Sequence, residues 1–294
     1  MRPYFFLGGN RGLTKLITGQ FFYVNTEDRS ITPWLLHAGS WELFVDDILC
    51  ALARPGDVFV DVGANVGYYT VKIGSKVGAT GKVHSFEPNP ETFNFLLDNV
   101  MINDLLGRCD LHQAAVGADP GEAWFSCKST EPGGGVVREQ PVGAENETRV
   151  RVLKLDDVIP DGRADLIKID VEGFEPQALR GMRGLLNRSP DAAVVVEMAY
   201  AQWAAFGDPI ALLVDAAGER ELFRIDPSGR LAALPTGPAL RPALETGPVT
   251  YVLMLPPSRK PQVAGFLRRG RAASSLLSRL GRLRNRFRAW LRGD

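Results

Sequence analysis

Residues 57–67 read Asp57-Val-Phe-Val-Asp61-Val-Gly63-Ala-Asn65-Val-Gly67, and no other stretch of the chain constrains its fold as tightly. The apolar run Val58, Phe59, Val60 suits a strand covered on both faces, as in a parallel sheet. Two glycines then make a turn that admits positive φ and close backbone approach, and a helix follows with unpaired N–H groups at its start. Asp61 falls at the carboxyl end of the strand, where open α/β sheets bind their ligands. A carboxylate there repels a pyrophosphate but suits hydroxyls or a cation. That chemistry points to a nucleoside with a charged amino-acid tail, with S-adenosylmethionine (SAM) as the candidate.

Downstream, strand and helix alternate, which predicts an α/β fold. Strands are expected at Asp57–Val62, Lys82–Phe86, Asp110–Val116, Arg149–Leu155, Asp165–Val171 and Ala192–Glu197, with Glu221–Ile225 and Val249–Leu255 as the last pair. Helices are expected over Asn65–Val77, Glu91–Asn103 and about Pro176–Leu186. Upstream, Asn25-Thr26-Glu27-Asp28 reads as the turn of a short hairpin within 20–37, ahead of a helix over Trp41–Ala53. Residues 128–147, with Pro132-Gly133-Gly134-Gly135, read as a mobile surface loop that is either an active-site lid or plain disorder.

Glu87 ends the second strand, 24 residues beyond Gly63. An acid at that place accepts both hydroxyls of a ribose, a feature shared with NAD-binding folds. The turn separates the two cases, because it runs Gly63-x-x-x-Gly67 and lacks the middle glycine of Gly-x-Gly-x-x-Gly. Ala114 and Ala115, after Gln113 in the third strand, offer a slot for a flat base, while neighbouring His112 reads as structural. The strand Asp165-Leu-Ile-Lys168-Ile-Asp170 runs into Val-Glu172-Gly173-Phe-Glu175. Lys168 within that apolar run needs a partner, since an unpaired buried charge is costly. Asp170 and Glu172 share the sheet rim with Asp61 and Glu87. Glu172 either faces the acceptor or merely starts the next helix.

Asp61-Val-Gly-Ala-Asn65-Val-Gly67-Tyr-Tyr-Thr70, Ser85-Phe-Glu87-Pro-Asn89-Pro90, Ala115-Val-Gly117, Leu155-Asp156-Asp157 and Ile167-Lys-Ile-Asp170-Val-Glu172-Gly173-Phe-Glu175 occur in this order. Together they resemble the FkbM-type SAM-dependent methyltransferases. The resemblance covers roughly residues 20–200 and implies a Rossmann-like, seven-stranded class I methyltransferase sheet with helices on both faces. It implies that Asp61, Gly63, Asn65 and Gly67 surround the methionine part of SAM, that Glu87 binds the ribose, and that Asp170 borders the cofactor. Asn89 and Ala115 complete the expected cofactor set. Glu172 is the expected general base, with Asp170 beside it and Glu197 as a further acid on the rim. Asp156 and Asp157 make a divalent metal shared with Asp170 conceivable, but paired acids also cap helices, and the expected site contains no metal. Trp41, Tyr68 and Tyr69 are candidates for the acceptor pocket, with core packing the expected fate of at least two of them.

The formal charge of zero conceals an asymmetry. Residues 259–294 carry 11 of the 34 Lys and Arg but a single acid, Asp294, so residues 1–258 hold 23 basic and 33 acidic side chains. In the tail, Leu276, Leu277, Leu280, Leu283, Phe287, Trp290 and Leu291 recur at three- and four-residue steps between arginines. This pattern predicts a basic amphipathic helix suited to an anionic membrane surface, to docking on the acidic body, or, third in order, to nucleic acid. Three parts are therefore expected: a hairpin and helix extension over 1–55, the methyltransferase domain over 56–258, and the tail over 259–294. Cys50, Cys109 and Cys127 fit no zinc pattern and point to a reducing compartment. With too short an apolar run for a signal peptide, the expected location is the cytoplasm, with peripheral contact at the inner face of the membrane through 260–292 left open.

The expected activity is O-methylation of a small-molecule natural product or a glycan by in-line methyl transfer. The competing reading is a membrane-associated SAM-binding protein of the same fold without catalysis.

Overall fold

The computed structural model describes residues 2–128, 130–144, 146–245 and 249–268. The tail positions 276–291 lie outside the described residues. Among the described residues no helix is long and apolar enough to cross a membrane.

Three antiparallel strands open the chain: β1 (Tyr4–Gly8), β2 (Arg11–Lys15) and β3 (Phe21–Asn25). The hairpin expected within 20–37 therefore lies upstream, turning at Gly8 and Gly9, both at positive φ. Residues Thr32–Ala38 form helix α1 instead. Its cause is Asp28, whose carboxylate accepts hydrogen bonds from the N–H groups of Ser30 (2.9 Å), Ile31 (3.0 Å) and Thr32 (2.7 Å). Those groups are the unpaired donors of a helix start. Helix α2 (Leu43–Leu52) follows.

The central sheet then begins with β4 (Val58–Val62), helix α3 (Tyr68–Val77), β5 (Lys82–Phe86), helix α4 (Pro90–Ile102) and β6 (Cys109–His112). The chain next builds a smaller sheet from β7 (Ala115–Val116), β8 (Gly121–Lys128), β9 (Glu131–Arg138) and β10 (Glu147–Leu153), in the order β7-β10-β8-β9. It returns through β11 (Leu166–Ile169), β12 (Ala193–Met198), β13 (Glu221–Ile225), β14 (Leu231–Ala233) and β15 (Thr250–Leu255). The central order is β14-β13-β15-β12-β11-β4-β5-β6. The five strands from β6 to β12 are parallel, and β15, β13 and β14 pair antiparallel. The sheet thus has eight strands rather than seven. The extra one, β14, follows a turn closed by Asp226, whose carboxylate accepts from Ser228 N and whose carbonyl accepts from Gly229 N at 2.7 Å.

Every residue of β11 and β12 is buried, as befits strands covered on both faces. The order in which strands are added reverses between β4 and β11: β5 and β6 extend one side of β4, and β11 and β12 the other. Such a switch point opens a crevice at the strand carboxyl ends. Here it lies between Val62 and Asp170, whose N–H bonds the Val62 carbonyl at 3.0 Å.

Two expected elements differ in kind. The strand expected over Asp110–Val116 divides into β6 and β7, because a tight turn (Ala114 N to His112 O, 2.9 Å) carries the chain out of the central sheet. The first half of the loop expected over 128–147 is strand β9, and the irregular connection is confined to the residues between β9 and β10. A Cβ on Gly135 would overlap the Phe125 ring and one on Gly133 would overlap the Asn65 side chain. The glycines there let the strand lie flat on its neighbours rather than marking irregular chain.

Asn99 on α4 ties the first sheet to the centre, accepting from Tyr23 N (2.6 Å) and donating to Tyr23 O (3.0 Å) as a neighbouring strand would. Residues 259–268, read from sequence as the start of the tail, are packed on the body. Arg259 is buried, pairs with Asp57 at 3.3 Å and donates to the Leu52 carbonyl at 2.5 Å.

Candidate active site

The turn between β4 and α3 forms the floor of the crevice. Asp61 lies beneath it, 0% exposed, and lines neither of the two clefts above. Its Oδ2 accepts from Thr70 Oγ1 at 2.7 Å, and Oδ1 has no hydrogen-bond partner. Burial pushes its pKa up, against the pull of Lys168 and Thr70. Gly63 and Gly67 both adopt positive φ, 82° and 87°. The space a Cβ would take at Gly63 is filled by the Asp170 carbonyl, and at Gly67 by Leu96. These glycines serve close packing of the turn as well as its conformation. Asn65 (φ 52°) completes the turn, its Oδ1 accepting from Val66 N at 2.8 Å.

Glu87 stands at the end of β5, 5% exposed. Asn65 N donates to its Oε2 and Asn89 N to its Oε1, each at 2.9 Å. The turn after β4 and the start of α4 therefore hold one carboxylate in place. Burial raises its pKa to about 7, although the N–H groups of Asn89 and Asn65 pull the other way. Glu87 borders a cleft whose apolar walls include Phe86, Ala114, Ala115, Val171 and Phe174. The β8–β9 hairpin roofs it with Phe125, Gly133 and Gly135. Asn89 does not line the cleft; it caps α4 and its side chain holds the hairpin through the Pro132 carbonyl at 3.0 Å. A small-residue slot beside a carboxylate with spare acceptor capacity fits a purine nucleoside and its vicinal hydroxyls, so these residues fit SAM.

A second cleft adjoins the first and shares Gly63, Gly133, Asp170 and Glu172 with it. Its remaining walls include Glu42, Lys168, Glu197 and Tyr251, and the aromatic residues Trp41, Tyr68 and Tyr69. Lys168 stands opposite Asp61 across β4 and β11, 2.9 Å from Asp170 Oδ2, with its ammonium 4.8 Å from the Tyr69 ring centre. Burial works against its charge, but Asp170, Asp61 and Glu42 outweigh burial and raise its pKa. Tyr251 lies opposite Glu197 across β12 and β15, and its hydroxyl contacts Glu42 Oε2 (2.8 Å) and Asp170 Oδ2 (2.9 Å). Burial, then Asp170, Glu172, Glu175 and Glu42, push the Glu197 carboxyl well above the usual carboxylate range.

Glu172 occupies the left-handed region (φ 52°), followed by Gly173 (φ 102°). For a non-glycine residue this costs on the order of 1–2 kcal/mol. Glu175 holds the strained loop: its Oε1 accepts from Val171 N (2.9 Å) and Gly173 N (3.1 Å), and its Oε2 from Trp203 Nε1 (3.0 Å). Burial raises the Glu175 pKa to about 7 against these donors.

The structure thus brings Gly63, Glu87, Ala115, Asp170 and Glu172 to the clefts, with Asp61, Asn65, Gly67 and Asn89 as their scaffold; of these four only Asn65 also lines a cleft. Asp156 and Asp157 are remote from it. Asp156 caps the helix Arg183–Arg188 by accepting from Gly184 N (2.9 Å) and Leu185 N (2.6 Å), which removes the metal conceived between it and Asp170. His112 stacks on Phe86 at 4.5 Å and lines neither cleft. Glu42 and Tyr251 carry no sequence signal for the site. Glu175 does: an acid just after Gly173, at a helix start, is placed to accept from loop N–H groups.

The methyltransferase FkbM domain family matches residues 61–224. The 31-O-demethyl-FK506 methyltransferase FkbM of Streptomyces tacrolimicus is 30% identical over 194 residues, 54% of this chain and 72% of that protein. Hexuronic acid methyltransferase AglP of Haloferax volcanii is 26% identical over 157 residues, 52% of this chain and 62% of that protein. Methyltransferase 1 of Beauveria bassiana is 26% identical over 163 residues, 48% of this chain and 65% of that protein. The chain spans somewhat less than two thirds of the length of the latter two relatives. With its family match extending over more than half of its residues, the chain belongs to the FkbM methyltransferases, a family whose cofactor is S-adenosylmethionine.

Proposed function

We propose that this chain transfers a methyl group from SAM to a hydroxyl of a small molecule or glycan. The observation that carries the reading is the continuity of the two clefts. A nucleoside slot ending at Glu87 runs, across Asp170 and Glu172, into a chamber lined by acids. When bound, SAM supplies an electrophilic methyl on a sulfonium leaving group. Glu87 holds the ribose hydroxyls, and Phe86, Ala114, Ala115 and Val171 enclose the base. The turn over Asp61, Gly63, Asn65 and Gly67 positions the methionine part.

An alcohol is a weak nucleophile while protonated. A carboxylate at Glu172 that takes the hydroxyl proton contributes about 10²–10⁴-fold. Glu175, itself held by Trp203, fixes the loop backbone on both sides of Glu172, which sets where that carboxylate starts from. Holding the acceptor oxygen near the methyl carbon contributes on the order of 7–11 kcal/mol. Two relatives are named for a hexuronic acid and for 31-O-demethyl-FK506, and from them we carry over only the class of hydroxylated acceptor.

Transfer of labelled methyl from SAM to a panel of hexuronic acids, glycosides and macrolide alcohols tests the reading. Glu172→Gln is expected to lower kcat by about 10²–10⁴-fold with SAM affinity retained. Bound SAM with no transfer to any acceptor of the panel would favour the non-catalytic reading instead. Membrane contact through 260–292 is a separate proposal carried by the arginine and leucine spacing alone. Liposome co-sedimentation with and without those residues tests it, and equal binding removes it.

A further inference from the structure

The acid-lined chamber holds more carboxyl groups than the single base that methyl transfer to a hydroxyl uses. Glu42, Asp170, Glu172 and Glu197 all line it, against a single lysine among its described residues, and that lysine is engaged with Asp170. One oxygen from each of Asp170, Glu172 and Glu197 lies within 4.8 Å of the other two. Oxygens on a common hard divalent cation sit about 2.0–2.6 Å from it, so any two are at most about 4–5 Å apart. Small side-chain rotations bring the three to that spacing.

A second and independent feature points to the same place. The Tyr69 hydroxyl, on a residue 4% exposed in the wall of this chamber, is buried and makes no hydrogen bond. A buried polar group left without a partner costs about 1–3 kcal/mol. Glu197, 8% exposed, lines the same chamber. The orphaned hydroxyl thus belongs to the wall of a chamber able to hold a ligand that satisfies a phenol and carboxylates at once.

We propose that Asp170, Glu172 and Glu197 bind one hard divalent cation of the Mg²⁺ or Mn²⁺ class at the carboxyl ends of β11 and β12. Each carboxylate gives one oxygen, so three ligands fall on one side of the ion. The opposite positions are left to water and to oxygens of the acceptor, and the Tyr69 hydroxyl donates to one of these. An all-oxygen donor set disfavours softer metals, and a one-sided set suits an ion that keeps exchangeable ligands. The acceptor class follows: a molecule presenting two neighbouring oxygens, as a vicinal diol or a hydroxy acid does. This deepens the methyltransferase reading and rests on it for the identity of the acceptor chamber.

The test is Mn²⁺ titration of the full, chelator-treated protein followed by electron paramagnetic resonance, with SAM affinity measured in parallel by calorimetry. One Mn²⁺ per chain, displaced by Mg²⁺, is expected. Glu197→Gln should weaken it by at least about tenfold and Tyr69→Phe by about tenfold, the scale seen when groups around a metal are removed. Glu122→Gln, an exposed acid paired with Arg149, should leave it unchanged. Unaltered SAM affinity in each variant shows that the fold survives. No Mn²⁺ bound by the wild type, or wild-type Mn²⁺ affinity in Glu197→Gln, overturns the proposal. Methyl transfer that proceeds unchanged in a strong chelator removes the cation and leaves the methyltransferase reading standing. Mn²⁺ bound as expected without any methyl transfer upholds the cation site and removes that reading.

Discussion

Substituting Glu87 is the sharpest perturbation of the cofactor cleft. Its two oxygens are already fixed by Asn65 N and Asn89 N, each at 2.9 Å, so the remaining lone pairs are aimed before a ligand arrives. A hydrogen bond to a charged acceptor contributes about 1.5–3 kcal/mol. Glu87→Gln keeps one carbonyl acceptor but sets an NH₂ against one of the two backbone donors. It should therefore lose about one such bond, a ten- to hundredfold weakening of SAM. Glu87→Ala removes both bonds and leaves two N–H groups unpaired, for a larger loss of about 10²–10⁴-fold. Because burial lifts the Glu87 pKa to about 7, the accepting carboxylate is fully formed only above neutrality. SAM binding by the wild type should tighten by about tenfold from pH 6 to pH 8, and Glu87→Gln should flatten that dependence. Isothermal titration calorimetry at both pH values measures this, with thermal unfolding as the control for folding. Wild-type SAM affinity in Glu87→Ala would refute the assignment of the ribose carboxylate.

Three further outcomes are expected. Glu175 has a folded pKa of about 7, above its ordinary 4.5, so the stability it contributes is complete below about pH 4.5 and is lost as pH rises through 7. Its share is at most about 3 kcal/mol, and urea unfolding at pH 5 and pH 8 should show Glu175→Gln losing that part of the slope; an unchanged slope refutes it. Asp46→Ala leaves the buried Lys72 of α3 without its ion-pair partner on α2 and should cost about 3–5 kcal/mol by denaturant unfolding, whereas a cost under 1 kcal/mol would show that the pair is solvated. Gly133→Val puts a side chain against Asn65 and lifts the hairpin from the turn; turnover should drop by up to about a hundredfold while the melting temperature barely moves.

How much was legible in the sequence depended on distance along the chain. The strand–turn–helix over 57–77 and the acid at the end of β5 are local patterns, set by side-chain periodicity and by φ values that few residues adopt. They emerged within a few residues of where they were expected. The stretch 131–138 misled because glycine marks irregular chain in isolation, yet it also permits close approach to a neighbour visible only after folding. Likewise, Asp28 redirected 32–38 into a helix through three backbone hydrogen bonds that periodicity does not report.

The acid-lined chamber belongs to the other category. Glu42 and Tyr251 meet across 209 residues, and Glu197 faces Tyr251 only because β12 and β15 pair in one register. A one-residue slip would have turned each of these side chains to the opposite face. By itself the sequence determined the α/β alternation, the glycine turn and the acid that border the crevice, and the family, because those rest on contiguous residues with short-range physical causes. Tertiary structure alone decided which acids share a chamber, that Asp61 supports the turn from below, and that a hairpin roofs the cleft beside Glu87. Burial and strand register set those relations, and neither exists until the chain has folded.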